Sequence, residues 1–408
     1  NFINSGFDPL FVISSSGITK RIGALFMPIQ KITAFVKSES VLVISGVLAL
    51  ISCFFTPPSA AYFSYINYKT LAILFCLMTV VTGLRAIGIF EILCHFLLSK
   101  VRSVRWLMLV MVLLCFFLSM FLTNDVALIT LVPFTLILME SEKSSDNSER
   151  MLIHVLVMET ISANLGSMLT PFGNPQNLYL YTAYNFSMGE FIKLMLPYSF
   201  ISLFLVIAGT LCYPLGKINA SSKSDFASEI SLSENRGRLI VYVGLFFLSI
   251  LSVSRILDYR LVLILVIAAV LVCDRRRFLN VDYSLLLTFV FFFIFIGNIG
   301  AIPQVDRFLS SVIRGREVLV SILTSQVTSN VPAAILLSDF TENGKGLVIG
   351  TNLGGLGTLI ASMASLITYR FYAQRKEAKN GRYLVYFSLF NVAFLVILYL
   401  FYIFIRLY

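Results

Sequence analysis

The chain has 408 residues, of which 58% are hydrophobic and only 13% are charged, and its mean hydropathy is +0.89. A soluble domain carries about 25% charged residues, so a water-soluble fold would leave this chain with a largely apolar surface. The apolar residues form long continuous runs without alternation, which argues against an outer-membrane barrel. The sequence therefore predicts an all-α protein that crosses a lipid bilayer several times. We assign the net charge of +10 to cytoplasmic loops and expect no nucleic-acid partner.

Residues 1–40 form the first predicted segment. Apolar residues recur there at helical spacing among Lys and Arg residues. This pattern is typical of a helix that lies on the cytoplasmic membrane surface. After it we predict a first inverted repeat at 41–214, a polar cytoplasmic connector at 215–236 and a second inverted repeat at 237–408.

The apolar run 105–139 is too long for one crossing. As a straight helix it would measure about 52 Å, against a hydrocarbon core of about 30 Å. Its centre holds Thr123, Asn124 and Asp125, which are costly in contact with lipid. We predict that the run folds back there as a re-entrant helical hairpin entering from the cytoplasm. A second hairpin, 316–340, is predicted to enter from outside, which places the N-terminus in the cytoplasm and the C-terminus outside.

Two short strings repeat between the halves at an offset of 188 residues. Residues 163–170 read ANLGSMLT, and residues 351–358 read TNLGGLGT. Each string lies in a predicted broken helix, 151–185 or 346–369, where Pro or Gly residues interrupt an apolar run. Paired interruptions in inverted halves are typical of a transporter's binding site at the bilayer midplane.

The residue types in these segments suit ions. A helix that begins at a hairpin tip offers free backbone N–H groups to anions, whereas side-chain and backbone oxygens suit cations. Asp125 is our main candidate for H⁺ or Na⁺ coupling, because an unpaired carboxylate is costly inside a bilayer; a purely structural cap is the alternative. Glu159 is a second candidate coupling carboxylate, and an internal hydrogen-bond partner is its alternative. We expect His154 at the membrane interface.

The four segments resemble those of the ion transporter superfamily, which includes arsenite permeases, citrate-type transporters and divalent anion:sodium symporters. The chain is most similar to its bacterial anion-permease branch, which carries the citrate-transporter-like domain. The resemblance implies a homodimeric, elevator-type transporter with inverted repeats, two re-entrant hairpins and two broken helices. The strings that carry it are LTNDVALITLVPF (122–134), NLGSMLTPFGNPQNLYLY (164–181), SQVTSNVPAAILL (325–337) and TNLGGLGTLIASMASLI (351–367).

The resemblance also implies two pseudo-symmetric binding sites. Both would take substrate or coupling ions, with Na⁺ at Asn124, Asp125 and Asn174. The first site contains Thr123, Asn124, Asp125, Asn164, Thr170, Gly173, Asn174 and Asn177, and the second contains Ser329, Asn330, Asn352, Gly354 and Thr358.

The sequence therefore predicts a secondary active transporter in the bacterial inner membrane. Its substrate is a small inorganic or organic anion or oxyanion, moved by alternating access and coupled to H⁺ or Na⁺. A Na⁺/H⁺ antiporter is the alternative, because Asp125 and Glu159 are compatible with it. The sequence contains no P-loop, zinc-site spacing or nucleophile elbow, so we expect neither an enzyme nor a cofactor beyond the coupling ion.

Overall fold

The computed structural model describes residues 39–98, 103–140, 146–213 and 232–407, together with Val36. Most of the predicted interfacial segment 1–40 and most of the predicted connector 215–236 lie outside these ranges. Within them every regular element is helical. Among the described residues, five helical segments are long and apolar enough to cross a membrane: Tyr68–Ala86, Met188–Leu211, Arg236–Val253, Tyr283–Gly300 and Asn380–Leu407. The prediction of an all-α, multi-pass membrane protein is confirmed.

The helices of the first half precede the undescribed segment 214–231. They are α1 (Ser40–Ser52), α2 (Tyr62–Tyr65), α3 (Tyr68–Ala86), α4 (Ile89–Leu98), α5 (Val104–Ser119), α6 (Asn124–Glu140), α7 (Asp146–Ser167), α8 (Pro175–Ala183) and α9 (Met188–Leu211).

The helices of the second half begin at Leu232, so the last residues of the predicted connector are helical. They are α10 (Leu232–Val253), α11 (Tyr259–Asp274), α12 (Tyr283–Gly300), α13 (Pro303–Ile313), α14 (Glu317–Thr328), α15 (Asn330–Ser338), α16 (Gly344–Leu353), α17 (Met363–Ala373) and α18 (Asn380–Leu407), with 3₁₀ turns at Arg275–Asn280 and Leu359–Ala361.

Two helical hairpins interrupt the long apolar runs. In hairpin 1, α5 has 16 residues and α6 has 17, so each arm is about 24–26 Å long and shorter than a hydrocarbon core. In hairpin 2, α14 and α15 are separated only by Ser329, whose φ of +78° reverses the chain. That left-handed conformation is uncommon outside glycine, which marks Ser329 as a constrained position.

The two predicted broken helices are each interrupted by a non-helical segment, which we call a break. Break 1, residues 168–174, separates α7 from α8, and break 2, residues 354–362, separates α16 from α17. Break 1 ends where Asn174 caps α8: its Oδ1 accepts the backbone N–H of Asn177 at 2.9 Å. Pro175 occupies the first helical position, where its missing N–H removes no hydrogen bond.

The helices pack as two groups. A core bundle contains both hairpins, both breaks and the long helices α9 and α18, whereas a flanking bundle contains α1, α3, α10, α11 and α12. The amphipathic helices α4 and α13 lead from the flanking bundle into hairpins 1 and 2. Tyr179 of α8 joins the two bundles, since its ring packs against Phe289 and Phe293 of α12.

Candidate ion and substrate site

The two breaks meet inside the core bundle through buried asparagines. Asn174 of break 1 donates through Nδ2 to Oδ1 of Asn352 at 3.1 Å, and Asn352 donates to Oδ1 of Asn177 at 2.6 Å. In the reverse direction, Ser362 of break 2 donates to Oδ1 of Asn164 at 2.9 Å. All five side chains are buried. Each half of the chain therefore satisfies the amide groups of the other.

The tip of hairpin 1 joins this network through Asn124. Its Nδ2 donates to Oδ1 of Asn164 at 2.9 Å, and its backbone N–H donates to the carbonyl oxygen of Gly173 at 3.2 Å. The next two backbone N–H groups are also bonded, since that of Asp125 reaches Asn124 Oδ1 and that of Val126 reaches Thr123 Oγ1. The donors at this tip are therefore occupied within the chain.

The carboxyl group of Asp125 is set apart from that network. Its Oδ1 is buried and accepts no hydrogen bond from the described residues. Another acid, Asp282, which caps α12, acts on it electrostatically. In the described ranges no three His, Cys, Asp or Glu side chains are grouped to hold a metal ion. The ligands available to Na⁺ here are thus one carboxylate and the nearby amide and carbonyl oxygens.

The contacts between hairpin and break repeat in the two halves. Thr170 donates to the carbonyl oxygen of Met120 at 2.5 Å, and Thr358 donates to that of Gln326 at 3.1 Å. The two threonines, which lie in the breaks, are 188 residues apart in the sequence, and their partners Met120 and Gln326 in the hairpins are 206 residues apart. The Ser329 hydroxyl also lies 3.5 Å from the carbonyl oxygen of Ala361, the residue 188 positions after Gly173.

Two glycines, Gly166 and Gly354, allow the broken helices to pack closely against the hairpins. The glycines are 188 residues apart, and the serines that they contact, Ser119 and Ser325, are 206 residues apart. A Cβ atom at Gly166 would lie 2.6 Å from Ser119 Oγ and only 2.1 Å from the carbonyl oxygen of Phe116. A Cβ atom at Gly354 would lie 2.6 Å from Ser325 Oγ. The shared string ANLG/TNLG therefore has a packing role, because only glycine fits at its last position.

The tip of hairpin 2 differs from that of hairpin 1. Val331 occupies the position that matches Asp125, so this tip carries no charge. The backbone N–H groups of Asn330 and Val331 reach no acceptor in the described parts of the chain. Ser329 precedes α15 without a side-chain cap. Two donors at a helix N-terminus are consequently free.

The predicted site residues are not separated into the two expected sites, because hydrogen bonds connect residues of one site to residues of the other. Asn124, Asn164 and Gly173 meet as expected, but Asn174 and Asn177 bond to Asn352 of the second half. Asn330 lies against Gly355 instead, with its Nδ2 3.0 Å from the position of a Cβ there. The two expected sites thus share one network.

Sequence reasoning missed Gln326 and Ser362. Gln326 donates to the carbonyl oxygens of Gly354 and Leu356 and accepts the backbone N–H of Thr358, so it fixes the path of break 2. Ser362 was detectable in principle, because it lies 188 residues after Asn174. The similarity between the two repeated strings ends at Thr358, so the correspondence between Asn174 and Ser362 was not apparent from the sequence.

Two further titratable residues lie in α7. Glu159 is fully buried; the Thr135 hydroxyl donates to its Oε1, while its Oε2 has no partner among the described residues. The expected position of His154 at the membrane interface stays a prediction. His154 is buried, bonded to the Tyr386 hydroxyl at 2.8 Å and stacked on Tyr213, because aromatic rings of neighbouring helices cover it.

An ionic clasp joins the start of α7 to the segment between α17 and α18 and to the first turn of α18. Asp146 bonds to Lys379 at 2.7 Å and to Arg382 at 2.5 Å, and Glu149 bonds to Arg375 at 2.9 Å. The bonds from Lys379 and Arg382 hold the pKa of the exposed Asp146 carboxyl well below its ordinary value. The clasp ties the first half of the core bundle to the second.

A cavity of about 610 Å³ lies outside this network. It is bounded by α13 and by the open end of hairpin 2, and its lining includes Arg307, Arg314, Glu317 and Asp339. None of the predicted site residues lines it, so the tips and breaks remain the candidate site.

Comparison with known proteins decides the family. The profile of the family described as citrate transporter matches residues 25–342, well over half of the chain. The chain belongs to the citrate transporter family. The resemblance to the citrate-type branch of the ion transporter superfamily is thereby confirmed.

Relatives of this citrate transporter family member are found in archaea and bacteria. "Uncharacterized transporter MJ0456" of Methanocaldococcus jannaschii is 31% identical over 353 residues, which cover 86% of this chain and 94% of that protein. "Inner membrane protein YbiR" of Escherichia coli is 33% identical over 318 residues, covering 76% and 82%. "Uncharacterized transporter Rv2685" of Mycobacterium tuberculosis is 24% identical over 291 residues, covering 65% and 66%. The chain is thus a multi-pass membrane transporter of this family.

Proposed function

We propose that this chain is a secondary active transporter of a small anion or oxyanion, coupled to H⁺ or Na⁺ by alternating access. The observation that carries the proposal is the chemical difference between two structurally matched tips. Hairpin 1 presents the carboxylate of Asp125, whereas hairpin 2 presents Val331 and two unpaired backbone N–H groups.

The first tip suits a cation. Asp125 has no cationic partner among the described residues, and its unpaired Oδ1 is buried. A proton or a Na⁺ ion would satisfy it, and the oxygens of Asn124 and Asn174 supply further hard ligands. The first-tip donors are already occupied, so an anion would find little to bind there.

The second tip suits an anion. Free N–H groups at a helix N-terminus carry partial positive charge, and the helix dipole adds to it. No carboxylate stands at the Val331 position to repel the ligand. Gly355 of break 2 lies beside this tip, because the Nδ2 atom of Asn330 is 3.0 Å from the position of a Cβ there. The family description also names citrate, an organic anion.

The matched contacts support an arrangement of two inverted repeats with re-entrant hairpins. The Thr170–Met120 and Thr358–Gln326 bonds keep constant offsets along the chain, as expected for two copies of one unit. We further propose that the core bundle moves as a unit against the flanking bundle, as in an elevator, and that the transporter is a homodimer with a cytoplasmic N-terminus.

A Na⁺/H⁺ antiporter is the second candidate. In the described part of the chain, no Lys, Arg or His side chain bonds to the tip or break residues. An anion would therefore be held without a full positive charge from the protein. Asp125 alone would suffice for exchange of Na⁺ against H⁺.

Reconstituted liposomes separate the two candidates. We expect a H⁺ or Na⁺ gradient to drive uptake of radiolabelled citrate or of another small anion from a panel. Dissipation of a pH gradient by Na⁺ or Li⁺ without any anion would instead establish the antiporter. Val331→Asp should abolish anion uptake by charge repulsion, whereas the neutral Val331→Asn of equal size should retain most of it. Equal uptake by both variants would overturn the assignment of the second tip.

A further inference from the structure

Glu159 occupies a position that the tips and breaks do not explain. It lies on α7, five residues before Asn164, and its side chain is fully buried in the core bundle. The hydroxyl of Thr135 on α6 donates to Oε1. The second oxygen, Oε2, is buried and receives no hydrogen bond from the described residues.

No positive charge compensates this carboxyl group. In the described part of the chain, the titratable groups on which Glu159 acts electrostatically are the Cys115 thiol of α5 and the Tyr383 phenol of α18, and neither is a cation. His154 on the same helix is bonded to Tyr386 instead. Thr160 and Thr368, where α7 meets α17, bond to each other. An ionised carboxylate with an unpaired oxygen is too costly in such surroundings, so a proton is the compensation that remains.

The Thr135–Glu159 bond also connects two parts of the site. Thr135 belongs to α6, the helix that begins at Asn124, and Glu159 belongs to α7, the helix that carries Asn164. Pro133 lies two residues before Thr135 and removes one helical hydrogen bond from α6. The bond to Glu159 therefore holds α6 against α7 near the helix's weakest point.

We propose that Glu159 is a proton-binding site separate from the two tips, and that its protonation stabilises the packing of hairpin 1 against α7. The bond from Thr135 persists when the proton is lost, but the negative charge then left on the buried, unpartnered Oε2 favours water entry between α6 and α7. This inference deepens the proposed function, on which it rests for its role in transport, because it makes H⁺ a second ion that controls the site.

Carbodiimide labelling tests the proton directly. Dicyclohexylcarbodiimide reacts with protonated carboxyl groups in apolar surroundings, and mass spectrometry of the purified protein locates the product. We expect labelling of the Glu159 peptide near pH 6 and a fall of about tenfold toward pH 9. Labelling that is absent at every pH, or that does not change with pH, would overturn the proposal. The assay needs no transport, so it stands apart from any failure of the proposed function.

Hydrogen exchange tests the effect on hairpin 1. After correction for intrinsic rates, we expect α6 amides to exchange about tenfold faster at pH 9 than at pH 6. Glu159→Gln, which mimics the protonated group, should abolish this difference. Asp339→Asn, an exposed acid at the end of α15, is the matched control and should leave it intact. An equal pH response in Glu159→Gln and in the unmodified protein would contradict the proposed control of hairpin 1.

Discussion

Asn174 donates a hydrogen bond to Asn352 across 178 residues of sequence, and both side chains are almost fully buried. The bond joins break 1 of the first half to the broken helix of the second. Because Asn174 also caps α8 and Asn352 also bonds to Asn177, neither side chain can leave without exposing several unpaired polar groups. The candidate site is therefore built from both halves at once.

Truncation of Asn174 should destabilise the folded protein. Asn174→Ala leaves Asn352 Oδ1 without its donor and uncaps α8, at a cost of about 2–4 kcal/mol. Asn391→Ala is the control, since Asn391 is equally buried but donates only to Phe387 of its own helix. Thermal unfolding in detergent should show a clearly larger loss for Asn174→Ala. Equal losses would show that the link between halves adds nothing to stability.

The loss of stability caused by Gly→Ala substitutions should depend on which atoms the new Cβ contacts. Gly166→Ala drives a methyl group into the backbone of Phe116 and should cost about 3 kcal/mol or more. Gly354→Ala meets the Gly350 carbonyl oxygen at 2.8 Å and the Ser325 hydroxyl at 2.6 Å, which is less severe than 2.1 Å from backbone, so its cost should be smaller. Gly244→Ala meets nothing within 4 Å and should be neutral or slightly stabilising. An unchanged melting temperature for Gly166→Ala would exclude the close packing of α7 on α5.

The ionic clasp predicts a specific pH dependence. The pKa of Asp146 in the folded protein is held below its ordinary value. The carboxylate therefore stabilises the fold at any pH above the ordinary pKa of an aspartate, and this stabilisation is lost as the pH falls toward the lowered pKa. The difference in melting temperature between the unmodified protein and Asp146→Asn should be constant from pH 5 to 8 and shrink below about pH 4. High salt should reduce it at every pH, because the partners are exposed. A difference that grows toward acid pH would refute the assignment.

Polar interruptions made much of this fold predictable from sequence. Thr123, Asn124 and Asp125 in an apolar run located the turn of hairpin 1, because three polar residues are costly in lipid. The repeated ANLG/TNLG string located Asn164 and Asn352, which both lie in the observed network. These features depend on local composition and spacing, which one sequence contains.

Contacts between the halves were not predictable in the same way. Nothing in the sequence indicates that Asn352 bonds to Asn174 rather than to its own hairpin tip, since that choice depends on how α8 and α16 pack. The environment of His154 was also hidden, because Tyr386 and Phe390 are supplied by a helix more than two hundred residues away. The orientation of the termini and the elevator motion stay predictions.

Gradient-driven uptake by liposomes that contain Asp125→Asn tests whether the Asp125 carboxylate couples transport to a cation gradient. Asn keeps the size and the tip geometry of Asp125 but cannot carry the charge that binds H⁺ or Na⁺. We expect this variant to be expressed and reconstituted normally while stimulation of anion uptake by the cation gradient is lost. Asp258→Asn, which removes a capping acid from α11 in the flanking bundle, should keep that stimulation. Full gradient-driven uptake by Asp125→Asn would contradict the account.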